Sequence, residues 1–168
     1  MWNLLRPDQY APSLYDIDFE SLRDKGIRGL ILDLDNTLVP WGEDTVSEEL
    51  TEKIKELKQL GFGMCIVSNN LGGRVNSISS RLGIEATSGA LKPLTFAYKK
   101  ALRVLGSDVS TTALVGDQLF TDILGGNLVG FYTVLVDPIV DREFLTTRLL
   151  RRLERVVRKR LGLVRRSV

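Results

Sequence analysis

Histidine is absent from all 168 residues, and cysteine occurs once, at Cys65. The first absence excludes Ser-His-Asp and Cys-His catalysis and His-ligated zinc. The second excludes an intrachain disulfide and fits a reducing compartment. No stretch reaches the ~18 uninterrupted apolar residues of a membrane-spanning helix. The opening residues, MWNLLRPDQYAPSLYDID, lack the apolar run and small-residue cleavage site of a signal peptide. The expectation is therefore a cytoplasmic chain, at most peripheral on the inner face of a membrane. Internal repeats and low-complexity linkers are also missing. Chemistry here must rest on carboxylates, lysine, hydroxyls and amides.

What is present is an ordinary globular composition, 43% hydrophobic and 26% charged, at a length that suits one domain. The net charge of +2 conceals an uneven distribution. Residues 142–168 carry 10 basic and 2 acidic side chains, a net of +8, which leaves 13 basic and 19 acidic in residues 1–141, a net of −6. The reading is a body over 1–141 and a basic C-terminal helix over 142–168. In that tail Leu145, Leu149, Leu153, Val156, Val157 and Val164 share one side at helical spacing. Two readings fit: a helix that docks on an anionic membrane, or one that packs on the sheet and shows water its charged face. Nucleic acid is disfavoured, because no aromatics are interleaved to stack on bases.

Along the body, strands alternate with helices. GLILDLD is apolar on both parities, which predicts a strand covered on both faces. FGMCIVS, IEATS, TTALVGD and FYTVLVD predict four more strands. Helices are expected after Ser47, ended by Gly61; over GGRVNSISSRL, stopped by Gly83; after Pro93, placed in a first turn; and over about 120–128. The fold class is α/β, a Rossmann-like open parallel sheet with helices on both faces. Ligands in such sheets bind at the carboxyl ends of strands. Three strand ends are polar: Asp33, Ser68 and Asp117.

Asp33 and Asp35 stand two apart in RGLILDLDNTLVPW. Period-two alternation would point both the same way, and like charges that close need neutralising. With Ser68, Lys92, Asp117 and Asp122 they form a coherent set. Asp33 and Asp117 offer hard oxygen ligands that suit Mg²⁺. Ser68 and Lys92 offer donors to phosphate oxygens. Asp33 can attack phosphorus, and Asp35 is placed for acid–base work.

In order and spacing, DLDNT, VSNN, LKP and GDQLFTD resemble the four motifs of the haloacid dehalogenase-like (HAD) phosphohydrolase superfamily, over about residues 27–137. The resemblance implies a Mg²⁺-dependent phosphatase with an aspartyl-phosphate intermediate. It implies that Asp33 is the nucleophile and a metal ligand. Asp35 would be the acid/base and would ligate metal through its backbone carbonyl. Ser68, Asn69 and Lys92 would hold the phosphoryl group. Asp117 would be the third ligand, Asp122 would orient Lys92 or a bound water, and Thr37 would support. Only 11 residues separate Asp35 from Ser47, and 23 separate Ser68 from Lys92, too few for a cap domain. The finer resemblance is to subfamily IIIA, especially the phosphatidylglycerophosphate phosphatases, which implies a lipid-headgroup monoester as substrate.

Plainer readings stand beside these. The acidic pair could be solvated loop acids, Ser68 a helix N-cap and Lys92 a surface lysine. Cys65 reads as core, and Trp41 as either a flap over the site or packing. The same chemistry on a soluble metabolite or phosphoprotein, a non-catalytic anion-binding adaptor, and a phospho-accepting receiver domain are the rivals. The last is disfavoured because the later strand ends in Ser68. The oligomeric state is left open.

Overall fold

Leu30 and Leu32 pack into one hydrophobic cluster and Ile31, between them, into another. The same division runs through the neighbouring strands: Met64 and Ile66 against Cys65 and Val67, and Ala113 and Val115 against Leu114. This is what period-two alternation produces when both faces of a sheet are covered. The computed structural model describes residues 2–140 and 145–163.

Six parallel strands form one sheet in the order β1–β6–β5–β2–β3–β4. They are β1 (Gln9–Ala11), β2 (Gly29–Leu32), β3 (Gly63–Val67), β4 (Glu85–Thr87), β5 (Thr112–Gly116) and β6 (Tyr132–Val136). Helices α1 (Phe19–Asp24), α2 (Glu48–Gln59) and α3 (Gly72–Leu82) bury Phe19, Leu22, Leu50, Ile54, Leu57, Val75 and Ile78 on one face. On the other, α4 (Phe96–Leu105) buries Ala97, Tyr98 and Ala101. A π-helical turn (Leu119–Ile123) leads there into α5 (Leu124–Val129). The five expected strands are all present. The short edge strand β1 is an addition: three residues carry too little periodicity to be read.

Local signals explain most boundaries. Ser47 Oγ accepts from the amide of Leu50 and caps α2, and Gly83 in the left-handed region closes α3. Two readings are corrected. Pro93 lies before α4, whose cap is Thr95, because Leu91–Leu94 first forms a turn of its own. Ser68 is not a helix cap; that position is Leu71, and Ser68 Oγ instead accepts from the amide of Asn70 at 3.1 Å.

Gly125 and Gly126 fit no phosphate loop, and packing explains them. A Cβ on Gly125 would lie 2.6 Å from the Tyr98 ring, and one on Gly126 would lie 2.7 Å from Thr133 Cγ2. Helix α5 can approach α4 at Gly125 and the sheet at Gly126 only without side chains there.

The last helix, α6 (Leu145–Leu161), packs on the body. Val157 is buried in a cluster with Leu119, Ile123 and Leu135. Glu154 is also buried. The expected apolar stripe is divided: Val157 turns inward, whereas Leu153 and Val156 are 53% and 55% exposed. The buried face instead runs through Glu154, Val157 and Leu161, three and four apart. The side chains of Leu145 and Leu149, Val164, and the 141/142 boundary lie outside the described residues. Among the described residues, no helix is long and apolar enough to cross a membrane.

Candidate active site

Chain order departs from sheet order between β2 and β5, which are neighbours although α2, β3, α3, β4 and α4 separate them in the chain. That is the switch point where open α/β sheets bind ligands. Asp33 follows β2, and its amide still donates to Val115 of β5 at 2.9 Å. Asp117 follows β5. Both carboxylates are therefore carried to the same edge.

Lys92 Nζ donates to Asp33 Oδ1 and, at 2.7 Å, to Asp122 Oδ1. Thr37 Oγ1 donates to the other Asp33 oxygen at 3.0 Å. All four residues are buried. The lysine loop is held by Asn69, whose Oδ1 accepts from the Lys92 amide at 2.7 Å. Ser68, at the end of β3, donates its amide to the Thr87 carbonyl, and its own carbonyl accepts from the Ala90 amide, joining the two loops. Burial alone would lower the Lys92 pKa, but Asp122 and Asp33 hold it above its ordinary value. Burial, opposed by Lys92, pushes Asp122 up to about 6.

Asp33, Asp117 and Asp122 each place a carboxylate oxygen within 4.8 Å of the others'. Three buried carboxylates converge there beside the Lys92 ammonium. A divalent cation that prefers oxygen ligands fits this donor set.

Asp35 does not join that cluster. Strand β2 ends at Leu32, so Asp33 and Asp35 are no longer governed by strand alternation, and they take different partners. Asp35 accepts from Arg74 Nη1 at 2.5 Å and from Asn70 Nδ2. Burial raises its pKa and Arg74 opposes that rise. The pair that looked in need of one common neutraliser has two cations, Lys92 and Arg74. Arg74 also binds the carbonyls of Pro40 and Glu43 and pairs with Asp44 at 2.8 Å, fastening the 40–44 loop to α3. Trp41, on that loop, is 37% exposed. The connection from β2 to α2, residues 33–47, holds only an isolated bridge between Asp35 and Val39, and among the described residues no domain is inserted there.

The family model described as Mitochondrial PGP phosphatase matches residues 2–140. The chain belongs to this family. It is a phosphatase, and its fold is that of HAD hydrolases. YqeG of Bacillus subtilis, a probable phosphatase, is 38% identical over 149 residues, covering 89% of this chain and 87% of that protein. Phosphatidylglycerophosphate phosphatase 1 of Arabidopsis thaliana is 30% identical over 165 residues, 92% of this chain, which spans 47% of the plant protein. The fold is similar to that of deoxy-D-mannose-octulosonate 8-phosphate phosphatase from Haemophilus influenzae, with a TM-score of 0.56, 16% identity, and coverage of 82% and 91%.

Several residues of this phosphatase's site escape sequence reading. Asn70 and Arg74 stand in no expected position, although VSNN and the basic residue in the first turn of α3 were visible. Asn36, at φ 63°, accepts from the amides of Trp41 and Val140 through its side chain. Arg158 and Glu154 reach the β5 loop from α6. Gly116 leaves the space that the Asp122 carboxylate fills, since a Cβ there would overlap it.

Proposed function

We propose that this phosphatase hydrolyses phosphatidylglycerophosphate, with Mg²⁺, through an aspartyl-phosphate on Asp33. The observation that carries the reading is the buried Asp33–Lys92–Asp122 arrangement at the switch point, beside Asp117. The family and the Arabidopsis relative support the substrate.

Asp33, Asp117 and the backbone carbonyl of Asp35 would hold the ion, with Asp122 at hand. When bound it supplies charge neutralisation for the phosphoryl oxygens. The Asp33 carboxylate attacks phosphorus while the bond to the glycerol oxygen breaks. Asp35 gives its proton to that leaving oxygen. Water then attacks the aspartyl-phosphate, its proton passes to Asp35, and the bond from phosphorus to Asp33 breaks to release phosphate. Lys92, Ser68 and Asn69 hold the phosphoryl oxygens, and Thr37 orients Asp33. An edge with no inserted domain among the described residues suits a headgroup that stays attached to a bilayer. Arg155 and Lys159 on the exposed side of α6 suit an anionic surface.

The test is phosphate release with Mg²⁺ from short-chain phosphatidylglycerophosphate, set against sugar phosphates, nucleotides and phosphopeptides. Preference for the lipid by kcat/KM is expected. Cleavage of soluble esters without the lipid would move the substrate to a soluble metabolite. Full turnover in excess chelator would overturn the metal-dependent mechanism.

A further inference from the structure

Exposed large hydrophobic side chains are unevenly placed on this molecule. Among the described residues, Trp41, Leu71, Leu91, Leu94, Phe96 and Ile139 all lie just beyond the carboxyl ends of the strands. Fewer lie toward the opposite edge: Leu4, on the segment that leads into β1, and Val104 and Leu128, in the last turns of α4 and α5. Isolated exposed apolar residues are ordinary, but a concentration on the edge that holds the site is not.

Leu71, Leu91 and Leu94 belong to two loops stitched together, and Phe96 opens α4 just after the second. The Gly89 amide donates to Asn70 at 2.8 Å, that of Ala90 to Ser68 at 3.0 Å, and that of Leu94 to Leu91 at 3.0 Å. Leu71 lies beside Gly89, where a Cβ would be in ordinary contact with Leu71 Cδ2 at 3.9 Å. Leu71 is 83% exposed and Leu91 62%. Leu91 also has φ 52°, a left-handed conformation unusual for leucine, next to the buried Lys92. The chain thus keeps a leucine side chain in water and a strained backbone beside its functional lysine. Strain of this kind clusters where function requires it.

Charge continues the pattern. Lys99, Lys100 and Arg103 follow Phe96 by three, four and seven positions, share its side of α4, and are exposed. No acidic residue occurs in residues 88–107. Apolar tips backed by cations match the two layers of an anionic bilayer surface, acyl chains within and negative headgroups above. A protein seated on this rim would crowd the edge through which substrate must enter, whereas a bilayer would bring substrate to it.

We propose that Leu71, Leu91, Leu94 and Phe96 insert into the interface of an anionic membrane, with Lys99, Lys100 and Arg103 on its headgroups, and hold the active-site edge against the bilayer. This rests on the lipid-headgroup reading above and adds a docking element separate from α6.

The full-length protein carrying Leu71→Ser, Leu94→Ser and Phe96→Ser would be compared with wild type by three measurements: flotation with phosphatidylglycerol-containing vesicles, phosphate release from phosphatidylglycerophosphate in those vesicles, and release from its short-chain soluble form. The triple variant should lose about tenfold or more in vesicle binding and vesicle turnover, and keep short-chain turnover within about twofold. Lys99→Glu with Lys100→Glu should weaken binding to anionic vesicles and abolish its salt dependence at those sites. Thermal melting checks the fold, and the single Leu71→Ser variant, at the most exposed position, stands in if the triple variant unfolds. Vesicle binding and turnover equal to wild type would overturn the docking surface. So would a change of oligomeric state in the triple variant with vesicle binding intact, which would make the rim a contact between copies. If wild type releases no phosphate from the short-chain lipid, the substrate reading fails, and flotation still decides the rim.

Discussion

Arg158 reaches across the fold to Asp117: its Nη2 donates to the Asp117 backbone carbonyl at 2.7 Å. Its Nη1 pairs with Asp137 at 2.8 Å. One turn earlier, Glu154 Oε1 accepts from the amides of Leu119 and Phe120. Helix α6 therefore grips both ends of the loop that carries Asp117 into the acidic cluster. Arg158→Gln should raise the Mg²⁺ needed for half-maximal stabilisation about tenfold, since groups that orient ligands commonly matter by 10–100-fold. Melting temperature against Mg²⁺ concentration measures this apart from turnover. An unchanged Mg²⁺ curve with a lowered melting temperature would confine Arg158 to holding the helix.

Truncation after Asp141 removes Glu154, Val157 and Arg158 together. Burial of a valine side chain alone contributes about 1.5–3 kcal/mol. The truncated protein should melt well below the full chain and bind Mg²⁺ more weakly, even against soluble substrates. Circular dichroism melting with and without Mg²⁺ checks both.

Gly116→Ala should displace Asp122, because the new methyl occupies the place of its carboxylate. Overpacking of this kind costs about 1–3 kcal/mol. Lys92 would lose one of its two carboxylate partners. Turnover should fall along with the melting temperature, and Gly125→Ala, which meets Tyr98 instead, should lower stability with a smaller effect on Mg²⁺ binding.

Asp33→Asn should abolish phosphate release, by at least about 10³-fold, because an amide cannot attack phosphorus. The fold should survive, since Lys92 keeps Asp122. Unfolding and turnover measured on one preparation separate the two effects. Substantial activity in the folded variant would remove Asp33 from the nucleophile role.

Asp35→Asn should slow turnover by about 10²–10⁴-fold, the usual contribution of a positioned acid or base. Phosphoenzyme should accumulate if its hydrolysis suffers more than its formation. Arg74→Gln, which leaves Asp35 present and held by Asn70 alone of these two side-chain donors, should have a smaller effect, on kcat more than on Mg²⁺ affinity. Acid-quench trapping of labelled phosphoenzyme distinguishes the variants.

Much of this site is visible before folding because its parts are set by local rules. Asp33, Ser68 and Asp117 each follow a run that is apolar on both parities, and such runs become central parallel strands whose ends share an edge. Lys92 and Asp122 are visible only through motif order, since neither has a distinctive local pattern. Arg74 is one of two arginines on α3 and Arg158 one of seven basic residues on α6, where Glu154 is the single acid, and nothing near them in the chain says which will turn inward.

Sequence by itself determined the five main strands, the α/β class, the polar strand ends and the lack of any histidine- or disulfide-based chemistry, because periodicity and composition act over a few residues. Only the tertiary structure decided that Asp33 and Asp35 part company, one to Lys92 and the other to Arg74. It alone decided that Val157 buries while Leu153 and Val156 do not. Partners 39 and 41 residues apart, Arg74 with Asp35 and Arg158 with Asp117, meet because the sheet brings their elements together. The physical reason is that desolvation selects among equivalent surface charges only once a buried carboxylate or carbonyl exists for them to satisfy.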